Sequence, residues 1–212
     1  MSHTNQPKLR GLNIPDLIEA AKIHKKSFPN SLLAIVGEES IVRYYTWQFK
    51  SRAKIYPIGI YINEKLVGYC IGGVFRAALG GFLARNKLFL GLQVLKNPSI
   101  FLNTKFLKNI LYILRLSIYF SFKNKIPKNP NENKSVNYFG ILAIAVDPKH
   151  SNNGYGKILI SESEKYASRN GFTHMRLTAD IENTRTIQFY KTNGWKKNMS
   201  ENNWRGKMIK KI

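Results

Sequence analysis

Two glycines at the start of a predicted helix are the residues with the clearest chemical meaning in this chain. Residues 146–157 read Val-Asp-Pro-Lys-His-Ser-Asn-Asn-Gly-Tyr-Gly-Lys and join an apolar strand to a helix. A helix N-terminus leaves about four backbone N–H groups unpaired at the positive end of the helix dipole, so it can hold a phosphate. Gly154 and Gly156 let the backbone approach such a ligand closely, and Lys157 adds positive charge. The segment lacks the third glycine of a dinucleotide site, and Ile158 stands where a P-loop needs Ser or Thr.

A second motif follows about thirty residues later and combines a capping residue with a tyrosine. Residues 183–195 read Asn-Thr-Arg-Thr-Ile-Gln-Phe-Tyr-Lys-Thr-Asn-Gly-Trp. Asn183 is suited to cap a short helix, as any Asn would be at that position. Tyr190 comes three residues after Ile187, which is the spacing of a core tyrosine, but a phenol can also donate a proton in catalysis. The residues alone leave both roles of Tyr190 open.

The elements that must position these motifs follow from the apolar periodicity and the turn residues. Helical spacing predicts early helices, and runs of β-branched and aromatic residues predict a hairpin. The predicted elements are helices over residues 15–28 and 39–49, a hairpin of strands 55–61 and 66–75, a strand over 139–146, a helix over 155–168, a strand over 175–179, and a short helix after Asn183 followed by a basic strand-like segment.

Taken together, residues 138–195 resemble the GNAT superfamily of acyl-CoA-dependent N-acyltransferases. The first motif resembles the family's Arg/Gln-x-x-Gly-x-Gly/Ala segment, with Ser151 in place of Arg or Gln. The second resembles Asn-x-x-Ala-x-x-Phe-Tyr-x-x-x-Gly-Phe, with Thr186 in place of Ala. The resemblance implies an α/β (α+β) GNAT fold, namely a mixed twisted sheet with splayed central parallel strands flanked by helices, and a helical insertion before the motif strand.

The resemblance also implies acetyl-CoA as the acyl donor and assigns residues to it. Tyr190 would act as the general acid toward the departing thiolate. The cofactor-binding residues that it implies are Ile144, Ala145, Val146, Ser151, Asn152, Asn153, Gly154, Tyr155, Gly156, Lys157 and Asn183. The general base stays unassigned among Glu38, Glu39, Glu182, His150 and a water chain. No metal site is expected.

A further resemblance concerns the acceptor. Residues 28–33, which read Phe-Pro-Asn-Ser-Leu-Leu, with Gly37 and the pair Tyr44-Tyr45, are similar to a GNAT subgroup found among surface-polysaccharide biosynthesis proteins. This similarity implies an amino sugar or other small primary amine as acceptor. The alternatives are a protein or peptide N-acetyltransferase, and a non-catalytic module that binds CoA or a membrane surface.

Composition sets the remaining expectations. The 212 residues predict a single acyltransferase domain over 1–212, and the formal charge of +22 favours anionic partners. Residues 76–136 form a basic, apolar-rich insertion, which is expected either to meet a membrane surface, to roof the substrate pocket or to pack as helices on the core. The single cysteine and the polar N-terminus predict a cytoplasmic protein, and no aromatic-basic motif supports a nucleic-acid partner. The oligomeric state is left open.

Overall fold

The computed structural model describes residues 6–51, 54–75, 78–96, 138–199 and 204–212. The chain divides into two compact units. One contains residues 1–13, 52–75 and 136–212, and the other contains residues 14–51 and 76–135. Residues 97–136 of the predicted insertion lie outside the described residues. The expectation of one domain over 1–212 stays a prediction.

The first unit is built on a mixed sheet whose strands, in spatial order, run β1-β2-β3-β4-β5-β7-β6 within the described part of the chain. The strands are β1 Lys8–Gly11, β2 Ile55–Ile62, β3 Lys65–Gly73, β4 Tyr138–Val146, β5 His174–Thr178, β6 Lys196–Lys197 and β7 Lys207–Lys211. Only β4 and β5 pair in parallel among these strands; the other neighbours are antiparallel. The sheet matches the predicted α/β fold class.

Seven helices are present in the described ranges. In chain order they are α1 Leu17–Ser27, α2 Leu32–Val36, α3 Glu38–Phe49, α4 Ala78–Arg85, α5 Lys87–Lys96, α6 Tyr155–Arg169 and α7 Thr184–Thr192. Short 3-10 turns occupy Ile14–Asp16 and Pro148–His150. The predicted helices and the predicted hairpin are confirmed within a few residues at each end. In the hairpin, Asn63 and Glu64 have φ of 48° and 62°, as the two central residues of a type I′ turn require.

Two elements were missed by the sequence patterns, and both are too short to show a period. Strand β1 has four residues, all of them exposed, so no apolar alternation marks it. Helix α2 has five residues and begins where the Ser31 hydroxyl accepts a hydrogen bond from the backbone N–H of Ala34 at 3.3 Å. Strand β1 is stabilised by its pairing with β2, and helix α2 is stabilised by the Ser31 cap.

The core of the first unit lies between the sheet and helix α6, which packs on β2, β3 and β4. Leu159, Ile160 and Ala167 of α6 are buried there together with Phe139 and Met175 of the central strands. The core therefore holds β4 and α6, the two elements that flank the glycine motif, at a defined position relative to each other.

In its described residues, the second unit packs helices α1 to α5 and contains no strand. A half-buried histidine joins three of its elements, because His24 Nδ1 lies 2.7 Å from the Tyr45 hydroxyl and Nε2 lies 3.0 Å from Ser31 Oγ. Burial lowers the pKa of His24 to about 4, so its ring is neutral near neutral pH. No helix in the described ranges has both the length and the apolar character to cross a bilayer.

Candidate active site

The two parallel strands separate within a few residues, which opens one edge of β4. Their ladder contains three pairs, from Tyr138 with His174 to Gly140 with Arg176. Leu142 is an extra residue in β4, because its neighbours Ile141 and Ala143 pair with consecutive residues of β3. Such a bulge bends and twists a strand. Beyond it, β4 pairs with β3 alone among the described strands, so the predicted splay is present.

The three predicted residues of β4 lie on this separated part of the strand. Ile144, Ala145 and Val146 pair on one side with Cys70, Tyr69 and Gly68 of β3. Ala145 is buried, while Ile144 and Val146 are half-buried and pack against the core. Their other edge faces the place from which β5 has diverged, so a ligand lying between the strands could extend the ladder.

The loop after β4 is held by its own side chains. The Asp147 carboxylate accepts a hydrogen bond from the backbone N–H of Lys149 at 3.0 Å, which caps the 3-10 turn. The Ser151 hydroxyl donates to the carbonyl of Pro148 at 2.8 Å, and Asn153 Nδ2 donates to the carbonyl of His150 at 3.2 Å. The side chains of Ser151 and Asn153, which the sequence predicts to bind the cofactor, therefore form hydrogen bonds within the loop. The groups of this loop that remain available to a ligand are mainly those of the backbone.

That backbone carries a run of N–H groups that have no partner among the described residues. Asn152 and Gly154 have positive φ of 67° and 75°, a geometry that turns successive N–H groups toward one point. The five N–H groups from Asn152 to Gly156 donate no hydrogen bond to any described residue, whereas those of Lys157 and Ile158 both donate to the carbonyl of Gly154. We call the backbone from 152 to 156 the N–H cradle. It lies at the N-terminus of α6.

Space around the glycines is compatible with a ligand. A Cβ added at Gly154 would have no heavy atom within 4 Å, so the surface above this residue is open. A Cβ at Gly156 would lie 3.5 Å from the Phe189 ring, which is ordinary van der Waals contact. The open surface, the unpaired donors and the exposed Lys157 fit the pyrophosphate of a CoA ester.

Arg185 is a residue of this site that the sequence analysis missed. Its guanidinium donates to Asn152 Oδ1 at 2.7 Å, across a separation of 33 residues. The contact places an exposed positive charge beside the N–H cradle, on the side of α7. The signal was present in the sequence as a cation within the Asn183 motif, but only the packing of α7 beside the loop shows where that cation lies.

The remaining two predicted residues lie at the start and in the middle of α7. Asn183 Oδ1 accepts a hydrogen bond from the backbone N–H of Thr186 at 2.9 Å, so the predicted cap is confirmed. Tyr190 is 5% exposed, and its ring lies 5.3 Å from Phe189 and 5.7 Å from Trp195 between centroids. Burial, with a smaller contribution from Cys70, raises the pKa of Tyr190 well above its ordinary value. The phenol therefore stays protonated at every working pH.

The candidate bases are less well defined. Glu38 forms an ion pair with Lys25 at 3.3 Å, and Glu39 accepts a hydrogen bond from Gln93 at 2.6 Å. Glu182 is exposed beside the Asn183 cap, and His150 is half-exposed in the loop that follows β4. These contacts do not single out one acceptor of a proton, so the general base is left unassigned.

A shallow basin of about 390 Å³ lies at the other end of α6, between Glu164, Arg169 and Lys210. Lys210 Nζ lies 2.7 and 2.8 Å from the two carboxylate oxygens of Glu164 in this basin. Glu164 is ten residues from Gly154, which is about 15 Å along a helix. The basin is therefore separate from the N–H cradle and has no glycine-lined backbone.

Comparison with known proteins agrees with the geometry. A family model described as the acetyltransferase (GNAT) family matches residues 117–195. No curated protein matches the chain. One similar solved structure is the PaiA N-acetyltransferase of Thermoplasma acidophilum in complex with coenzyme A, at 16% identity and a TM-score of 0.56 over 98% of this chain and 99% of that one. Another is the ribosomal-protein-alanine N-acetyltransferase of Brucella melitensis, at 14% identity and a TM-score of 0.56 over 97% of this chain and 99% of that one. An aminoglycoside N-acetyltransferase in complex with CoA matches at 10% identity and 0.56 over 97% of both chains. At these identities the structures share the fold.

Proposed function

We propose that this GNAT acetyltransferase, identified by its family match and its fold, moves an acetyl group from acetyl-CoA to the primary amine of a small molecule such as an amino sugar. The family match confirms the predicted superfamily, the class of enzyme and acetyl-CoA as the donor. The acceptor and the roles of individual residues are our proposals.

The observation that supports the donor site best is the N–H cradle beside the separated edge of β4. Five backbone donors at the start of α6, which have no partner in the described part of the chain, suit a pyrophosphate, and Arg185 supplies a charge next to them. The main chain of Ile144 to Val146 would then hold the acyl-bearing part of the donor by sheet-like hydrogen bonds. Acetyl-CoA, when bound, supplies a thioester that a neutral amine can attack.

In the proposed reaction, the amine nitrogen bonds to the thioester carbonyl carbon while the carbon–sulfur bond breaks. The Tyr190 hydroxyl gives its proton to the departing thiolate sulfur, and the proton of the amine goes to the unassigned base. Because burial raises the pKa of Tyr190, the phenol is always in the donating form, although it is a weaker acid than a phenol in water. The core packing of its ring fixes the position of the hydroxyl oxygen.

Charge supports the choice of acceptor. A molecule of net charge +22 disfavours polycationic amines and favours an amine that also carries an anionic group. An amino sugar linked to a phosphate or a nucleotide meets that condition. A peptide with an acidic sequence and a free N-terminus would meet it too, so a protein or peptide N-acetyltransferase is the second candidate.

The test is an acetyl-transfer assay that measures free CoA thiol with acetyl-CoA and four acceptors: a free amino sugar, a nucleotide-linked amino sugar, a polyamine and an acidic peptide. We expect the nucleotide-linked amino sugar to have the highest kcat/KM. Turnover of the peptide alone would favour the second candidate. Binding of acetyl-CoA without turnover of any acceptor would favour a non-catalytic CoA-binding module.

Tyr190→Phe tests the proposed acid in the same assay. General acid catalysis contributes on the order of a hundredfold or more, so kcat is expected to fall by about that factor while the Kd for acetyl-CoA is kept. The matched control is Tyr166→Phe, because Tyr166 stacks on Tyr56 at 3.8 Å within the same unit and has no proposed catalytic role. Equal losses in the two variants would remove Tyr190 from the mechanism.

A further inference from the structure

One face of helix α5 packs against the helices α2 and α3 of the second unit. Leu90 and Val94 lie against the buried Val36 of α2. Gln93 Nε2 donates to the Glu39 carboxylate of α3 at 2.6 Å, and the guanidinium of Arg43 in α3 lies 4.0 Å from the Phe89 ring centroid. These contacts fix the orientation of the helix, so its opposite face is directed away from α2 and α3.

The opposite face is apolar where a water-facing helix is normally polar. Leu88, Leu92 and Leu95 are 87%, 59% and 72% exposed. At 3.6 residues per turn the three side chains fall within about 60° of one another and along about 10 Å of the axis. They form a continuous stripe, which we call the leucine face. Exposed leucines that are grouped in this way indicate an interaction surface, unlike single exposed ones.

Cations border the leucine face. Lys87 and Lys96 are both exposed. Viewed down the helix axis, Lys87 lies about 100° from Leu88 on one side, and Lys96 lies about 80° from Leu88 on the other side. Arg85, at the end of α4, is also exposed. The sequence contains no Asp or Glu between residues 76 and 131. The partner should therefore offer an apolar layer beneath a layer of negative charge.

We propose that α5 docks on the surface of an anionic lipid bilayer. The leucine face would enter the boundary between head groups and acyl chains, and Lys87 and Lys96 would contact lipid phosphates, as interfacial amphipathic helices do. With ten residues, α5 is about 15 Å long, so it lies along the surface and does not span the bilayer.

Two other partners fit the same surface less well. A second copy of the chain would bring Lys87 and Lys96 against the same cations in a symmetric interface. Three leucines on one short helix also cover far less than the roughly 800 Å² per partner of a stable protein interface. Nucleic acid would pair with the cations but would leave the leucines exposed, because its binding rests on phosphate contacts.

The experiment is vesicle co-sedimentation of the full-length protein. The probes are phosphatidylcholine vesicles with about one-third phosphatidylglycerol, and phosphatidylcholine vesicles alone. The test variant is Leu88→Gln/Leu92→Gln/Leu95→Gln, which keeps helix propensity. The matched control is Ile14→Gln/Ile18→Gln, since these residues are 49% and 58% exposed in the same unit but lie beside Asp16 and Glu19. Lys87→Gln/Lys96→Gln tests the charge.

We expect the protein to bind the anionic vesicles at least about tenfold more strongly than the neutral ones. The triple glutamine variant should lose binding by about tenfold or more, the charge variant on the order of tenfold, and the isoleucine control should bind as wild type. Failure of the wild type to bind anionic vesicles, or equal binding by the triple variant, would overturn the proposal. A dimer that the triple variant abolishes, without any vesicle binding, would assign the leucine face to a second copy. None of these outcomes depends on acetyl transfer.

Discussion

A pair of substitutions at Gly154 separates the charge of the proposed donor from the shape of its site. Gly154 has φ of 75°, and a Cβ there would meet no heavy atom within 4 Å. Asn and Asp accept this left-handed conformation better than other non-glycine residues, at a cost of about 1 kcal/mol each. Gly154→Asn and Gly154→Asp therefore share the backbone cost and the added volume, and they differ by one negative charge.

The size of that difference follows from the position of Gly154 in the N–H cradle. A carboxylate about 4 Å from a phosphate oxygen is opposed by about 1 kcal/mol in bulk water and by about 4 kcal/mol near a protein surface. Gly154 is exposed, so the lower part of this range applies. We expect Gly154→Asp to bind acetyl-CoA about 5- to 30-fold more weakly than Gly154→Asn, which corresponds to about 1 to 2 kcal/mol.

The assay is calorimetric titration of both variants and the wild type with acetyl-CoA, at low and at high salt. The difference between Asp and Asn should shrink at high salt, because exposed charges are screened. Acetyl-pantetheine, which lacks the phosphates, is the matched control ligand, and it should not distinguish the two variants. Equal affinities of the two variants for acetyl-CoA would refute the assignment of the pyrophosphate to the N–H cradle, as would an equal difference with acetyl-pantetheine.

Two further predictions concern the charge of Arg185 beside the site and the half-buried His24 of the second unit. Arg185→Gln should weaken acetyl-CoA binding by about fivefold, because the guanidinium lies beside the N–H cradle. The affinity of Arg185→Lys should lie between those of Arg185→Gln and the wild type. Wild-type affinity of Arg185→Gln in the same titration would contradict this prediction. Burial lowers the pKa of His24 to about 4 in the folded state, whereas its value in the unfolded state is about 6.5. As the pH falls below about 6.5, the unfolded state therefore binds a proton before the folded state does, and the folded state loses stability. The free energy of unfolding in urea should drop by about 2 kcal/mol between pH 7 and pH 5 because of His24, and that drop should be smaller in His24→Gln. An unchanged pH dependence in His24→Gln would show that other groups cause it.

Sequence patterns within a few neighbouring residues predicted the helices and strands that flank the candidate active site. Strand β4, helix α6 and helix α7 each have a strong period or a clear cap, and the glycines of the first motif mark the start of α6. These features depend on neighbours within a few residues along the chain, so a single sequence is enough to predict them. The Asn183 cap is of this kind, because its partner Thr186 is three residues away.

Contacts between segments that are distant along the chain could not be predicted from these local patterns. The bulge at Leu142 appears only when β4 is paired with β3, and the ladder between β4 and β5 ends just before it, at Gly140. The Arg185 contact with Asn152 likewise needs α7 to pack beside the loop. Short elements such as β1 have no period of their own and form because another strand is present to pair with them.

The sequence by itself thus determined the glycine motif that we propose to bind phosphate, the order of strands and helices around it, and the tyrosine proposed as the acid. Only the tertiary structure decided which donors the loop leaves unpaired, since Ser151 and Asn153 turn inward to loop carbonyls. It also decided that the leucine face of α5 points outward, because Leu90 and Val94 take the inward positions. The physical reason is the same in both cases. A residue type states which bonds a side chain can make, and packing decides which of them are made within the chain and which are left for a partner.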